Sequence, residues 1–143
     1  MTSMTPAQIE EFLQAPRHAI VGTNRVDGPP QLSPVWYVTE AGRLYISIGA
    51  GTAKHRNLAR DPRISVCVDG GHPDARTVMI YGTAELIEGT DPLREEMRWR
   101  IVRHYHDSEQ AARRYAEQIR DEPFVLVVVT PQQQRLPELP GSG

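Results

Sequence analysis

The sequence predicts a single mainly β domain, in which six short strands form a small, mostly antiparallel barrel with flanking helices. Six runs rich in β-branched and aromatic residues are separated by turns rich in Gly, Pro and Asp. Helical periodicity is confined to the N-terminal stretch and to the stretches after the third and fifth runs. A chain of 143 residues without an internal repeat has the length of one domain.

The N-terminal part is predicted to hold one helix and three antiparallel strands. Thr5 and Gln8 have the spacing of a capping box around Pro6, and apolar residues follow at helical intervals, so we expect a helix over residues 6–14. The three strands, separated by an Asp-Gly turn and an Ala-Gly turn, are predicted over residues 18–25, 31–39 and 44–48.

The second half is predicted to add three helices and three strands. Thr52 can cap a helix that ends before Pro62. Gly82 indicates a bulge or a close backbone approach within its strand. Residues 91–118 are helical in pattern with a break near residue 107, which predicts two helices. The remaining strands are predicted over residues 64–68, 77–87 and 124–130.

The last strand and the C-terminus give two further expectations. Residues 124–129 are apolar on both faces, which is typical of a central strand or of one covered by a partner subunit. Because so small a chain would not cover both faces, we expect an obligate homodimer. Residues 131–143 lack periodicity and are rich in Pro and Gln, so we assign residues 1–130 to the domain and 131–143 to a flexible tail.

Composition and charge narrow the classes of partner. A formal net charge of −2 provides no general attraction to nucleic acid, and the longest apolar run is too short to span a bilayer. The N-terminal segment lacks the basic and apolar regions of a secretory signal. We therefore expect a cytoplasmic protein that acts on small molecules and uses neither nucleic acid nor a membrane as a partner.

No motif in the sequence indicates a catalytic or metal-binding side chain. His104 and His106 lie on a predicted helix, where they point about 200° apart and cannot grip one metal ion. A helix C-terminus stabilised by His explains them better. There is no Gly-x-Ser-x-Gly elbow and no evident carboxylate pair. We predict no catalytic side chain and no metal, and any reaction is expected to belong to a cofactor.

The strongest sign of a ligand is the stretch GAGTAKHRNLARDPR, which begins at Gly49. Lys54, the single lysine of the chain, lies with Arg56 in the first turn of a predicted helix, where the dipole favours acidic residues. A Gly-containing turn that leads into a helix N-terminus with cationic side chains can hold a phosphate. The alternative is that these cations form a solvated helix face. Walker-type nucleotide hydrolysis is not expected, because no Gly-Lys-Ser/Thr is present.

A second candidate lies in the strand over residues 31–39. Pro34 cannot donate to a sheet and therefore marks an edge or an opening. With Val35 and Trp36 beside it, such an edge would let a flat ring lie against the backbone. The alternative is that Trp36 is a core residue.

Three motifs together resemble a known family. They are Ser-Pro-Val-Trp at residues 33–36, Leu-Tyr-Ile-Ser at residues 44–47, and Thr-Ala-Lys-His-Arg-Asn-Leu with Arg-Asp-Pro-Arg-Ile at residues 52–64. They look like the flavin/deazaflavin oxidoreductases on the FMN-binding split β-barrel of pyridoxamine 5′-phosphate oxidases. The resemblance is strongest over residues 17–88 and continues weakly to residue 130. Within that group, K-x-R-N-L-x-R-D-P-R resembles the branch that binds the deazaflavin coenzyme F420.

The resemblance implies a six-stranded split barrel and a homodimer with two cofactor sites at the subunit interface. Lys54 would face the cofactor phosphate, and Ser47 and Thr52 would help to bind it. The cofactor-binding residues are then Pro34, Val35 and Trp36 at the ring system, Ser47, Gly49, Thr52, Lys54 and Arg56 around the phosphate, and Asn57 close to the phosphate or the side-chain region of the cofactor.

The expected function is hydride transfer between F420 and a small conjugated acceptor, with residues 91–118 shaping access for the substrate. One alternative is an FMN-dependent oxidoreductase of the pyridoxamine 5′-phosphate oxidase type, whose cofactor also carries a phosphate. Another is a non-catalytic cofactor- or tetrapyrrole-binding protein on the same barrel. Cofactor titration separates the first two, and turnover separates the third.

Overall fold

The computed structural model describes residues 4–134. Within them lie seven strands and four helices: α1 (Pro6–Gln14), β1 (Ala19–Thr23), β2 (Gln31–Val35), β3 (Val38–Glu40), β4 (Arg43–Gly49), α2 (Ala53–Arg60), β5 (Arg63–Asp69), β6 (Thr77–Ile87), α3 (Pro92–His104), α4 (Glu109–Gln118) and β7 (Phe124–Gln134). None of these helices is long and apolar enough to cross a membrane. The mainly β prediction with flanking helices is confirmed.

All seven strands form one antiparallel sheet in the order β2-β1-β5-β6-β7-β4-β3. The two edge strands, β2 and β3, are neighbours in the chain and are joined by Trp36 and Tyr37 alone. The three peptide units from Val35 to Val38 span at most about 11 Å. The two edges of the sheet must therefore lie close together, and the sheet curls into a barrel with an open seam between β2 and β3.

That seam corrects the predicted strand count from six to seven. The predicted strand over residues 31–39 is two strands, because β2 pairs with β1 whereas β3 pairs with β4. Between them, the backbone N–H of Tyr37 donates to the Tyr105 hydroxyl at 3.1 Å instead of to a strand. The Tyr37 hydroxyl donates to the Leu13 carbonyl at 3.0 Å, which fixes this fully buried side chain. The chain thus leaves the sheet at Trp36 and Tyr37.

Alternate residues of β7 face two separate cores. Val125, for example, belongs to the large core inside the barrel, to which α1 contributes Phe12. Leu126 instead belongs to a second core between the outer face of the sheet and α3, where Met97 and Ile101 cover it. Residues 124–129 are all buried within one chain. The premise of the dimer prediction was therefore wrong, because α3 covers the face that a partner was expected to cover.

β7 also extends four residues beyond its predicted end. Pro131 pairs opposite Gly82 after a bulge, and pairing with β6 continues to Gln134. A Cβ at Gly82 would lie 2.4 Å from the Thr130 carbonyl oxygen, so glycine is what permits this approach. The predicted bulge is confirmed, whereas the predicted end of this strand at residue 130 was too early. Residues 135–143 of the predicted tail lie outside the described part of the chain.

Candidate cofactor site

Thr52 shapes the turn between β4 and α2. Its hydroxyl accepts the His55 backbone N–H at 3.4 Å, which confirms the predicted N-cap. The same hydroxyl donates its proton to the Gly49 carbonyl at 2.8 Å. Gly51 has a positive φ of 79°, a conformation that glycine adopts without strain. Because the Thr52 proton is already used, this side chain orders the turn and has no second proton for a ligand.

Lys54 lies in the first turn of α2, which contains no acidic residue. Its side chain is half-buried, and this burial lowers the pKa of Lys54 from its ordinary value. Within residues 4–134, no hydrogen bond or ion pair holds its ammonium group. The backbone N–H groups of Ala53 and Lys54 have no acceptor within the helix. An unpaired cation thus lies beside free N–H groups at the positive end of a helix dipole.

Two other predicted ligands have partners inside the protein. Arg56 donates from its guanidinium to the Gly51 carbonyl and so braces the turn. Asn57 is buried, donates to the Thr23 hydroxyl at 3.1 Å and accepts from Arg60 at 3.4 Å. Asn57 therefore ties α2 to β1. A contact of either residue with a cofactor stays a prediction.

His55 lies in the first turn of α2, and no role in the site was predicted for it from the sequence. Its Nδ1 accepts the Gly51 backbone N–H at 2.9 Å, so the ring proton lies on Nε2. Nε2 donates to Glu88 Oε1 at 3.1 Å. The ring thereby holds the turn against the chain segment after β6. No local pattern signals this contact, because Glu88 lies 33 residues away in the sequence.

A cavity of about 350 Å³ lies on the outer face of the sheet beside the seam. Four predicted residues come together in its wall: Pro34, Val35, Trp36 and Ser47. Helices α3 and α4 supply much of the opposite wall, and a role of this stretch in substrate access stays a prediction. Because side chains alternate along a strand, Ser47 and Gly49 lie on the same face of β4. Ser47, in the cavity wall, therefore lies on the same face of the sheet as Gly49, where the turn into α2 begins.

Trp36 belongs to an aromatic cluster at the seam. Its ring stacks on Tyr105 with centroids 4.9 Å apart, and Tyr115 lies 5.5 Å away at a tilt. The Tyr105 hydroxyl donates to the Arg17 carbonyl at 2.5 Å and accepts from the Tyr37 N–H. Burial raises the pKa of Tyr105 to about 12, so this hydroxyl keeps its proton at neutral pH. Trp36 is thus fixed as one wall of the cavity, and one of its ring faces is covered.

The His pair near the end of α3 has a structural role in the helix terminus. α3 ends at His104, and the His106 ring nitrogen Nδ1 lies 2.7 Å from the Val102 carbonyl. Both rings also lie against aromatic neighbours, Tyr105 for His104 and Trp36 for His106. The interpretation of these histidines as helix-terminal residues is confirmed.

The family model described as pyridoxamine 5′-phosphate oxidase matches residues 5–136. The chain belongs to this family. Membership confirms the resemblance to split-barrel flavin/deazaflavin proteins that the three sequence motifs carry, and with it the split-barrel fold class.

Solved structures with a similar fold include the following three. A conserved hypothetical protein from Mycobacterium tuberculosis is 25% identical with a TM-score of 0.73, and the match covers 93% of this chain and 84% of that one. An F420 reductase is 21% identical with a TM-score of 0.66, over 87% and 93% of the two chains. A heme storage protein from Vibrio cholerae is 20% identical with a TM-score of 0.65, over 90% of each chain. Split-barrel proteins of similar shape thus differ in the ligand that their names record.

Proposed function

We propose that this split-barrel protein is an F420-dependent oxidoreductase that transfers a hydride between the deazaflavin and a small conjugated acceptor. The observation that carries the proposal is Lys54, a half-buried cation without an acidic partner in the described chain, at a helix N-terminus. Such a site attracts phosphate both by charge and by free N–H groups. The K-x-R-N-L-x-R-D-P-R string around Lys54 favours F420 over FMN.

The residues present fit a phosphate-bearing ring cofactor. Lys54 would neutralise the phosphate, and the Ser47 hydroxyl, which lines the cavity, would donate to the same cofactor. His55 and Thr52 hold the turn in place before binding, which reduces the entropy lost on binding. The ring system would lie along Pro34, Val35 and Trp36.

The chemistry is then divided between the cofactor and the protein. When bound, F420 supplies the hydride. The aromatic cluster around Trp36 and the helices α3 and α4 would form the walls that orient a ring bound in the cavity. No side chain of this chain is assigned a catalytic role.

A homodimer is part of the proposal, on grounds other than those given by the sequence. The outer face of β2-β1-β5-β6 carries exposed apolar side chains in register, because Ile20 lies opposite Cys67 and Cys67 opposite Met79. Leu32 is 66% exposed and Tyr81 43% exposed on the same face. α3 covers the outer face of β4 and β7. The outer face of β2-β1-β5-β6, by contrast, is not covered by any of the described residues.

The apolar face adjoins the candidate site. Pro34 lies opposite Ile20 in the register of that face, and it also lines the cavity. A second copy of the chain seated on the face would therefore border the cavity. Contiguous exposed apolar surface of this kind is typical of an interface. This placement supports the cofactor sites at a subunit interface that the family resemblance implies.

The experiment that tests the function is a fluorescence titration of the purified protein with F420, FMN and heme. We expect F420 to bind more tightly than FMN. Submicromolar FMN binding without F420 binding would transfer the proposal to the FMN-dependent alternative. Heme binding alone, together with failure to oxidise reduced F420 in the presence of quinones and enones, would favour the tetrapyrrole-binding alternative.

A further inference from the structure

Arg98 is a buried cation in the wall of the cavity. It is 9% exposed, although arginine is almost never this buried without close partners. Its guanidinium lies 3.8 Å over the ring of Phe124. Its polar contacts are long: one amino group lies 3.4 Å from the Ile119 carbonyl, and the other lies 3.5 Å from Glu95. Within residues 4–134, the five N–H donors of Arg98 thus have two long contacts.

The charge of Arg98 is not cancelled within the cavity. Neither Asp nor Glu is among the described residues that line it, and Arg98 is their one permanently charged member. The Glu95 carboxylate is on the outer side of α3, where its side chain is 67% exposed and screened by water. A guanidinium with free donors and little compensation favours an anion, and its planar fork matches a carboxylate.

The rest of the wall suits a flat apolar body. Trp36 presents a ring that is held by its stack on Tyr105, and Ile101 and Val102 add apolar surface. A volume of about 350 Å³ is at the lower end of the range for small-molecule sites. These walls and the buried charge together describe a small planar molecule with one anionic end.

We propose that the α3 side of this cavity, opposite the strand residues assigned to the cofactor ring, receives the acceptor and selects conjugated molecules that bear a carboxylate, which Arg98 binds. This inference rests on the proposed function, because it assigns the bound anion to the acceptor side of the reaction. Arg98 is then a specificity-determining residue that is separate from the phosphate site at Lys54.

Arg98 also borders a second cavity, between α3 and α4, so the test needs matched controls. Arg113 lines that second cavity and not the first, and its guanidinium lies 5.3 Å from the Trp99 ring. Arg94 shares the ring of Phe124 with Arg98 at 4.2 Å but lines neither cavity. Arg113→Met and Arg94→Met each remove one positive charge from a residue that does not line the first cavity.

The experiment is isothermal titration of the protein with trans-cinnamate and with its uncharged isostere trans-cinnamamide, with and without saturating F420. For a charge-assisted pair in a buried site, wild type should bind cinnamate about 10- to 100-fold more tightly than cinnamamide. Arg98→Met should abolish this preference, whereas Arg113→Met and Arg94→Met should keep it. The affinity for F420 should stay within about twofold of wild type in Arg98→Met.

Three results would overturn the inference. They are equal binding of the two compounds to wild type, a preference that persists in Arg98→Met, and displacement of cinnamate by F420, which would place the anion in the cofactor site. If Arg98→Met does not fold by circular dichroism, Arg98→Lys keeps the charge without the fork and should retain a reduced preference. A cinnamate preference without F420 binding would refute the proposed function and the assignment to an acceptor, while the anion site itself would stand.

Discussion

Replacing Tyr105 with Phe should destabilise the seam of the barrel. The Tyr105 hydroxyl is the sole described partner of the Tyr37 N–H outside the sheet, at 3.1 Å, and it donates to the Arg17 carbonyl at 2.5 Å. Tyr37 is fully buried, so its N–H would lose its partner without access to water. The variant leaves the buried Tyr37 N–H without a partner and also loses the hydrogen bond to the Arg17 carbonyl. Together these losses should lower the free energy of unfolding by about 2–4 kcal/mol.

The measurement is urea unfolding followed by circular dichroism. Tyr115→Phe is the matched control, because Tyr115 also lies beside Trp36 but its hydroxyl makes no hydrogen bond with the described residues. The control should change the free energy of unfolding by less than about 0.5 kcal/mol. A Tyr105→Phe variant that is as stable as the control would refute the account of the seam.

Three further changes test other parts of the structure. Gly82→Ala should destabilise the protein by more than about 1 kcal/mol in urea unfolding, because its Cβ would meet backbone at Thr130; a neutral effect would contradict the close approach. Lys54→Met should raise the stability of the cofactor-free protein at pH 7 by about 0.3–1 kcal/mol. Burial lowers the pKa of Lys54 in the folded protein, so the cost of its charge is present below that pKa and is lost as the pH rises towards the unfolded value of 10.5. If the difference in stability between the variant and wild type does not shrink as the pH rises from about 9 to 11, burial of the charge is not the cause. Leu32→Asp should convert the proposed dimer to monomer in light scattering, and a monomeric wild type would remove the dimer.

Features that depend on neighbouring residues could be predicted from the sequence. The capping box of Thr5 and Gln8 and the start of α1 at Pro6 are as predicted, because the side chain and the backbone group that it satisfies lie three residues apart. The bulge at Gly82 was predictable for the same reason, since the lack of a side chain is itself the signal.

Features that depend on distant pairing could not be predicted in this way. Residues 31–39 have strand-forming chemistry throughout, and their division at Trp36 follows from β2 and β3 pairing with different strands. Burial of residues 124–129 depends on where α3 docks, which periodicity does not specify. Arg98 is one of fifteen arginines, and its position in the cavity wall follows from the packing of α3 against α4 and β7.

The candidate site likewise has features that the sequence could predict and features that depend on distant contacts. Pro34, Trp36 and Ser47, which the motifs assign to the cofactor, line one cavity, and their contact with a cofactor stays a prediction. Spacing alone could not show that Asn57 donates a hydrogen bond to β1, or that the Thr52 hydroxyl donates to a carbonyl of its own turn. Whether Lys54 meets a phosphate is the point that the proposal depends on.

The most direct test is the dissociation constant of F420 for wild type, Lys54→Ala and Lys54→Glu. A charge-assisted bond at a partly desolvated helix N-terminus should make Lys54→Ala bind about 10- to 150-fold more weakly, and the charge reversal should weaken binding further. Arg43→Ala is the control for net charge, because Arg43 lies at the opposite end of β4 from Gly49, and its affinity should be unchanged. Unchanged affinity in both Lys54 variants would return this lysine to the solvated helix face and contradict the proposed site.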